Sequence, residues 1–557
     1  MSNQRKIQSW LPLLLSAVMV AGIALGFKIY EELYNPDSYR FNWYNQETIL
    51  NWPDSNQEGL DSATKSLFME FKLSGLDDVQ KLIKARYIDS LSEDSLQGDA
   101  IAAMVRKLDP HSQYIPPIKS SEVKADLSGN FSGIGVEYLI IKDTVIIVGI
   151  IPKGPAAQAQ LQEGDAILAI NDSVVIGKKL NNSQLRQMLR GSKDSKVRLR
   201  IARNNEIITR ELIRGTIPQP SLDAAYMLAP QVGYIRLNRF AETTYKEFME
   251  ATDSLLIKGM KKMILDLRGN GGGILEEAVK IGDEFLPEGK IIVSIEGRSI
   301  KNEVFRTTKP GLFETGTLVV LIDEQSASAS EVLAAALQEN DRALLVGRRS
   351  YGKGLIQEQY SLANGGFLRL TVARYLTPLG RNIQKPFEKN NLAYQHEIYN
   401  RLLRDSGINK QIDTAGKKYF TTPKGKKVYE TGGLLPDVAV ALDSTRVPAD
   451  LVPIFSSPLL LETGYLIYHS KKELISKYAG PMDFYQKYTF DELDKSLITK
   501  LINSQSTKAS KPLKPASLVL LHNRLKAVIA RYKWKNNAFY EIINQNDPVI
   551  KKAIQQL

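Results

Sequence analysis

From residue 232 onward, short apolar runs of strand length alternate with amphipathic helical stretches. Residues 263–267, 290–295, 318–322 and 344–346 are the apolar runs, and residues 274–285 and 330–339 are two of the helical stretches between them. Strands that alternate with helices pack in layers, so the pattern predicts an α/β core. Residues 366–376 add a longer strand. A chain of 557 residues is too long for one hydrophobic core, and the pattern changes on both sides of this stretch.

Upstream, residues 10–27 are 18 residues without a charge, with Arg5 and Lys6 before them and Lys28 after. That length is near the lower limit for a spanning helix. No small-x-small cleavage site follows, which favours an uncleaved anchor over a signal peptide. By the positive-inside rule residues 1–9 stay in the cytoplasm and the rest faces outward; a soluble secreted form is the variant. Residues 28–60 are polar, hold Pro36 and Pro53, and read as a linker. Residues 61–128 read as helical. Val79, Leu82 and Ile83 share one face, as do Leu96, Ala100, Met104 and Leu108, and Ser92 before Glu93 marks a helix start.

Residues 129–215 have a different period. Residues 144–151 are a β-branched run, 165–170 a second strand, and Asn182 or Ser183 caps a short helix ending near Arg190. Val197, Leu199 and Ile201 alternate with Lys196, Arg198 and Arg200, the mark of a half-buried strand. With Phe131-Ser-Gly-Ile-Gly-Val136, Gly154-Pro-Ala-Ala157 and Glu163-Gly-Asp165, this order resembles a PDZ domain. Gly133 and Gly135 let backbone N–H groups turn toward one point and hold a peptide's terminal carboxylate. The peptide adds as a strand beside residues 134–138, which include Ile134 and Val136, its last side chain toward Leu185 and Leu189. Taken alone, such a glycine pair is an ordinary tight turn.

Beyond the core, residues 216–440, the chain turns helical over 441–557, with Leu518, Leu521, Leu525, Val528 and Ile529 in one stripe. Residues 390–427 are polar and read as an insertion in the core. The net charge is +12, and residues 491–557 hold 12 Lys/Arg against 5 Asp/Glu. Such a tail suits acidic lipid headgroups or an acidic partner, or is a solvated basic helical face; no nucleic-acid motif accompanies it, so no nucleic-acid partner is expected. There is no cysteine, which excludes disulfides, cysteine nucleophiles and thiolate metal sites. His111, His396, His469 and His522 stand in no metal-ligand spacing, and neither metal nor cofactor is expected.

The apolar run ending at Asp323 is followed by Ser326-Ala-Ser-Ala-Ser-Glu331 and then a helix. A serine between strand end and helix start is held clear of the packed layers, and the next N–H, that of Ala329, faces charge developing on a carbonyl oxygen. Ser328 and Glu331 also fit a capping box, in which Ser328 does no more than cap the helix. Gly352-Lys-Gly354 lies downstream, with Gln357 four residues after Lys353. A lysine brought out of water between glycines loses basicity and can take a proton from a serine. The stretch from Gly347 to Lys353 also matches a phosphate-loop start, but Gly354 stands where Ser or Thr must reach magnesium. Asp266-Leu-Arg-Gly-Asn-Gly-Gly-Gly273 can expose N–H groups to an anion or serve as a tight turn.

Together these motifs resemble the C-terminal processing peptidases, S41 serine proteases with a PDZ domain and a Ser–Lys dyad. The resemblance also takes in Leu108-Asp-Pro-His-Ser112, Thr377-Pro-Leu-Gly-Arg381 and Gly432-Gly-Leu-Leu-Pro-Asp437. It implies an α/β protease core of the layered ClpP/crotonase kind with an inserted PDZ domain and helical regions at either end. It implies that Ser328 is the nucleophile, Lys353 the general base and Gln357 its orienter. The oxyanion hole would be Ala329 N–H with an N–H from Gly271, Gly272 or Gly273, Gly272 first among them. The expected substrates are proteins bound by their C-termini. The expected place is the bacterial inner membrane, with the catalytic part facing the periplasm. Pairing of two copies through the terminal helical regions stays open, and an inactive scaffold that binds C-terminal tails is the alternative. The chain departs from the family where Gly269-Asn-Gly-Gly-Gly273 replaces the usual Asn-Asn-Pro-Gly-Gly, and where Asp323 and Gln325 replace Asn and Gly.

Overall fold

The computed structural model describes residues 75–387, 394, 396–398, 401, 416–441, 448, 450–504 and 513–557. The chain divides into two compact units, Met1–Glu93 and Asp94–Leu557. In the first, the described residues form helix Leu76–Arg86. Among the described residues no helix is long and apolar enough to cross a membrane. Helix Pro515–Asn544 has the length at 30 residues, but Arg524, Lys526, Arg531, Lys533 and Lys535 make it too costly to place in hydrocarbon. The expectation of a transmembrane helix, and of a single-pass inner-membrane protein facing the periplasm, is corrected accordingly. Residues 10–27, from which it was read, lie outside the described residues.

The second unit contains a small β domain. Strands β1 (Val136–Ile141), β2 (Thr144–Ile150), β3 (Ala166–Ile170), β4 (Lys196–Arg203) and β5 (Glu206–Ile213) neighbour one another in that order. Val197, Leu199 and Ile201 are buried and their neighbours Lys196, Arg198 and Arg200 exposed, because β4 has one face on the core. Helix α1 (Asn182–Leu189) starts from Asn181, one residue earlier than expected. The Asn181 side chain accepts from Gln184 N–H (3.0 Å), and Gln184 Oε1 accepts from Asn181 N–H (2.9 Å). That reciprocal pair satisfies two free donors of the first turn. Leu185 and Leu189 are buried with Ile134, Val145, Ile167 and Leu199. Among the described strands β1 pairs only with β2, so its outer edge is open.

The α/β core is built on a second sheet. Strands β6 (Leu222–Ala229), β7 (Val232–Leu237), β8 (Lys262–Asp266), β9 (Thr317–Ile322) and β10 (Leu344–Gly347) follow in order, and Val438–Ala439 joins the edge. The pair β6–β7 is antiparallel and the rest are parallel. Residues 263–265 of β8 and 318–322 of β9 are apolar and buried because both faces are covered. On one face Ile235, Leu265 and Val320 pack with Phe248, Ile281, Leu333 and Leu337. The last two belong to helix α2 (Ala329–Glu339). A further sheet brings strand β11 (Leu355–Ser361) against β12 (Phe367–Leu376), with Gln113–Ile115 and Ile291–Gly297 also on β12.

The C-terminal helices serve both layers. On α3 (Pro515–Asn544), Leu521, Leu525, Val528 and Ile529 are buried in a cluster that also holds Val148 and touches Leu139, Ile141 and Ile146 of the small domain. Helix α4 (Pro548–Ile554) lays Val549, Ile550 and Ala553 on the other face of the core sheet, over Ile264, Val319 and Leu321.

Candidate active site

Strand β9 ends at Ile322, α2 begins at Ala329, and the turn between them carries three serines of different standing. Ser326 is fully buried, its Oγ donating to the Leu267 carbonyl (2.8 Å) and accepting from Asp323 N–H (2.9 Å). Ser330 is fully buried, its Oγ donating to the Asn270 carbonyl (2.9 Å). Ser328 is half-buried, with φ 56° and ψ −120°. An L-residue rarely takes a left-handed φ, and such strain persists only where the surroundings impose it. The N–H of Ala329 donates to no group among the described residues.

The glycine loop is set by the end of β8. Asp266 is fully buried and accepts from Arg236 Nη1 (2.9 Å), Arg268 Nη2 (2.6 Å) and Tyr234 Oη (2.7 Å). Burial alone would raise its carboxyl, but the two guanidiniums and these bonds hold it well below the usual range. Arg268 reaches on to Asp547 at the start of α4 (2.7 Å). Asp323 accepts from Gly269 N–H (3.0 Å), and the Asn270 carbonyl accepts from Ala327 N–H (3.0 Å), which ties the loop to the serine turn. Gly272 has φ 95°, and a Cβ there would lie 2.6 Å from the Ala327 oxygen and 2.7 Å from Ser328 Cβ. Only glycine allows that approach. The N–H of Gly272 donates to Asn270 Oδ1 (2.9 Å), whereas those of Gly271 and Gly273 have no acceptor among the described residues.

Lys353 lies just before β11, on a segment of close backbone contacts. Gly352 has φ 90°, and a Cβ there would meet the Gly432 backbone at 2.8 Å. The Lys353 amine donates to Gln357 Oε1 (2.9 Å), and Gln357 Nε2 donates to the His111 carbonyl (2.6 Å). Burial first, then the Arg369 charge, holds this amine below the usual lysine value, against Glu331 and Asp109. Asp109 accepts from the N–H groups of His111 and Ser112 (both 2.8 Å), so the Asp-Pro-His-Ser segment is a tight turn that presents the carbonyl used by Gln357. Burial, then the Lys353 charge, pushes the His111 imidazole down to about 4.

One carboxylate joins the two halves. Glu331 is fully buried, and its Oε2 accepts from Ser328 N–H (3.0 Å) and Lys353 N–H (2.9 Å). Its Oε1 accepts from Gly352 N–H (2.8 Å) and from Ser350 Oγ. Burial pushes its carboxyl up to about 7, against those bonds. Tyr375 Oη donates to the carbonyls of Ser328 (3.2 Å) and Lys353. Beside Leu355 opens a cavity of about 680 Å³, lined also by Leu108, Thr371, Arg374 and Phe387.

The backbone N–H groups of Ser328 and Lys353 are thus joined through Glu331, Gly272 lies against Ser328, and Gln357 holds the Lys353 amine. Gly133, Ile134, Gly135 and Val136 stand apart from them in the small β domain, beside Leu185 and Leu189. Gly135 has φ 77°. The carbonyls of Ile134 and Gly135 accept from Ala156 and Ile151 (2.8 and 3.0 Å), while their N–H groups find no backbone acceptor among the described residues. Sequence reasoning gave Glu331 only a capping role and gave Asn270, Tyr375 and His111 none. Their spacing in the chain carries no signal, since each acts through a backbone group far away in sequence. Residues 390–427 do more than interrupt: Tyr394 shares a hydrogen bond with His111 (2.7 Å), Glu397 pairs with Arg349 (2.8 Å), and Arg401 donates to the Ser350 carbonyl (2.9 Å).

The Peptidase family S41 model matches residues 231–390, and the PDZ domain model matches residues 146–203. Carboxy-terminal processing protease CtpA of Bacillus subtilis is 34% identical over 316 residues, 56% of this chain and 67% of that one. The carboxy-terminal-processing protease of Bartonella bacilliformis is 34% identical over 321 residues, 56% of this chain and 73% of that one. Among solved structures, a photosystem II D1 C-terminal processing protease aligns at 25% identity over 67% of this chain and 88% of that chain, with a TM-score of 0.32.

Proposed function

Because the chain belongs to peptidase family S41 and is a serine-type peptidase carrying a PDZ domain, we propose that Ser328 is its nucleophile and Lys353 its general base, with Gln357 orienting the amine. The observation that carries this reading is the contrast within residues 326–330. Ser326 and Ser330 are buried and committed to carbonyls, while Ser328 is half-buried, strained, and tied through Glu331 to the backbone of Lys353. The neutral lysine amine takes the Ser328 hydroxyl proton as Oγ attacks the scissile carbonyl carbon. Ala329 N–H, with an N–H from residues 271–273, receives the oxyanion. Collapse breaks the C–N bond, and the lysine ammonium gives its proton to the departing amine. The Lys353 amine then deprotonates water, which attacks the acyl carbonyl; the ester C–O bond breaks, the ammonium returns the proton to Ser328 Oγ, and the acyl group leaves as a carboxylic acid that ionises in water. The cavity beside Leu355 is lined by β12 at Thr371 and Arg374, where a polypeptide substrate would run.

We assign the PDZ domain, residues 129–215, to capture of substrate C-termini. The open edge of β1 takes the tail as an added strand, and the N–H groups of Ile134 and Gly135 take its carboxylate. The intact Ser328, Lys353 and Gln357 stand against the alternative of an inactive tail-binding scaffold. Ser328→Ala is expected to abolish cleavage of an unfolded test protein, a fall of at least about a thousandfold, without loss of the fold by circular dichroism. Full residual activity overturns the assignment. The kcat/KM of the unaltered enzyme should rise with pH as Lys353 loses its proton. Since the folded environment lowers that pKa, the midpoint should fall below the ordinary lysine value of 10.5.

A further inference from the structure

Strand β12, paired with the strand that follows Lys353, carries a second cation, Arg369, that no part of the catalytic reading uses. In the ladder of β11 and β12, Gln357 is paired with Thr371 and Gln359 with Arg369, so these four side chains share one face. The two pairs are separated by two residues along each strand, about 7 Å. Gln357 holds the Lys353 amine, so the Arg369 guanidinium lies one row away on the face where that amine sits. Arg369 is half-buried. Its side-chain hydrogen bond goes to a neutral group, Gln359 Oε1 (3.1 Å), and no carboxylate pairs with it among the described residues.

The carboxylates facing Lys353 are already engaged. Asp109 accepts from His111 N–H, Ser112 N–H and Ser112 Oγ, and also from Thr371 Oγ1 (3.2 Å). Glu331 is saturated by four donors. A half-buried guanidinium left without an anion is costly to keep, and its planar fork is shaped for a carboxylate. Burial lowers its pKa without removing its charge, and that charge helps depress the neighbouring lysine.

We propose that Arg369 binds an acid group of the polypeptide being cut, and so biases cleavage toward acidic stretches or toward sites whose released piece ends in a nearby free carboxylate. This rests on the catalytic reading of Ser328 and Lys353. It differs from tail capture by the PDZ domain, whose carboxylate site is backbone N–H at Ile134 and Gly135. The anion is held by charge-assisted hydrogen bonds while Lys353 acts on the serine.

The test uses the full chain and a set of fluorogenic peptides. One position at a time on either side of the cut is Asp, Asn or Lys, and each peptide has a free or amidated C-terminus. The unaltered enzyme should favour Asp over Asn at one position, or the free acid over the amide, by about 10- to 100-fold in kcat/KM, the worth of a charge-assisted bond. Arg369→Gln should bring that ratio to about one, Arg369→Lys should keep much of it, and Arg369→Glu should turn the preference to Lys. An amide penalty that survives Arg369→Gln belongs to the PDZ loop and counts against the inference. No acid preference in the unaltered enzyme, at any position or terminus, overturns it without recourse to any variant. If Ser328→Ala cleaves normally, the catalytic reading fails; if Ser328→Ala is inactive and the Arg369→Gln ratio is unchanged, only this inference fails.

Discussion

Two glycine-containing turns carry the proposed chemistry, residues 131–136 of the small β domain and residues 266–273 of the core. The first is held more lightly: Phe131, Ser132 and Gly133 pair with a short strand at residues 215–217, the carbonyls of Ile134 and Gly135 are taken by Ala156 and Ile151 within about twenty residues, and the outer edge of the β1 strand it opens is left unpaired among the described strands. The second is held by groups from across the chain: Arg236 and Tyr234 on β7, Asp323 after β9, Ala327 on the serine turn and Asp547 at α4. A binding loop gains from an open edge, because an incoming strand supplies the missing bonds. A catalytic turn must be fixed before substrate arrives, because a misplacement of about 1 Å costs rate on the order of a hundredfold.

Glycine-to-alanine changes put the sharpest pressure on that contrast. Gly272→Ala drives a methyl to within 2.7 Å of Ser328 Cβ at a left-handed φ. A loss of about 10²–10³ in kcat is expected, read from peptide cleavage, with tail-peptide affinity unchanged by anisotropy. Loss of both together would mean the two turns are not independent. Glu331→Gln comes next. It places an amide NH₂ among four donors and lets the serine and lysine backbones drift, so kcat should fall about a hundredfold. If kcat holds, the clamp is not what positions the pair.

Asp266→Asn acts on stability rather than on the turn itself. It removes the charge between Arg236 and Arg268 in a fully buried place, and about 3–5 kcal/mol of unfolding free energy should go with it, measured by urea denaturation. Retained stability would show that the core turn, like the PDZ turn, needs no buried charge. Gly135→Ala is the mildest. Its Cβ meets only Ile217 Cδ1 closely, at 3.1 Å, and the left-handed φ adds about 1–2 kcal/mol. Tail-peptide binding should weaken while cleavage of a short peptide is kept.

Much of the core was legible because buried parallel strands announce themselves as apolar runs. The run at 318–322 became Thr317–Ile322, and that at 263–267 became Lys262–Asp266. Of the stripe Leu518, Leu521, Leu525, Val528 and Ile529, all lie on one helix and all but the half-buried Leu518 are buried. What covers it did not follow, since an apolar face does not name its partner. Val148 of the small domain joins that cluster, and the α4 residues Val549, Ile550 and Ala553 close the far side of the core sheet. The membrane expectation rested on local hydropathy alone and finds no spanning helix among the described residues.

By itself the sequence determined the layered core, the small β domain and the residue types able to do serine chemistry, because periodicity and glycine placement act over a few residues. The family resemblance had already singled out Ser328; only the tertiary structure buried Ser326 and Ser330 against carbonyls, gave Glu331 its four donors, and left Arg369 beside Lys353 without a carboxylate among the described residues. Those distinctions depend on burial and on hydrogen bonds between segments up to hundreds of residues apart, such as Gln357 and His111. Neither can be read from spacing along one chain.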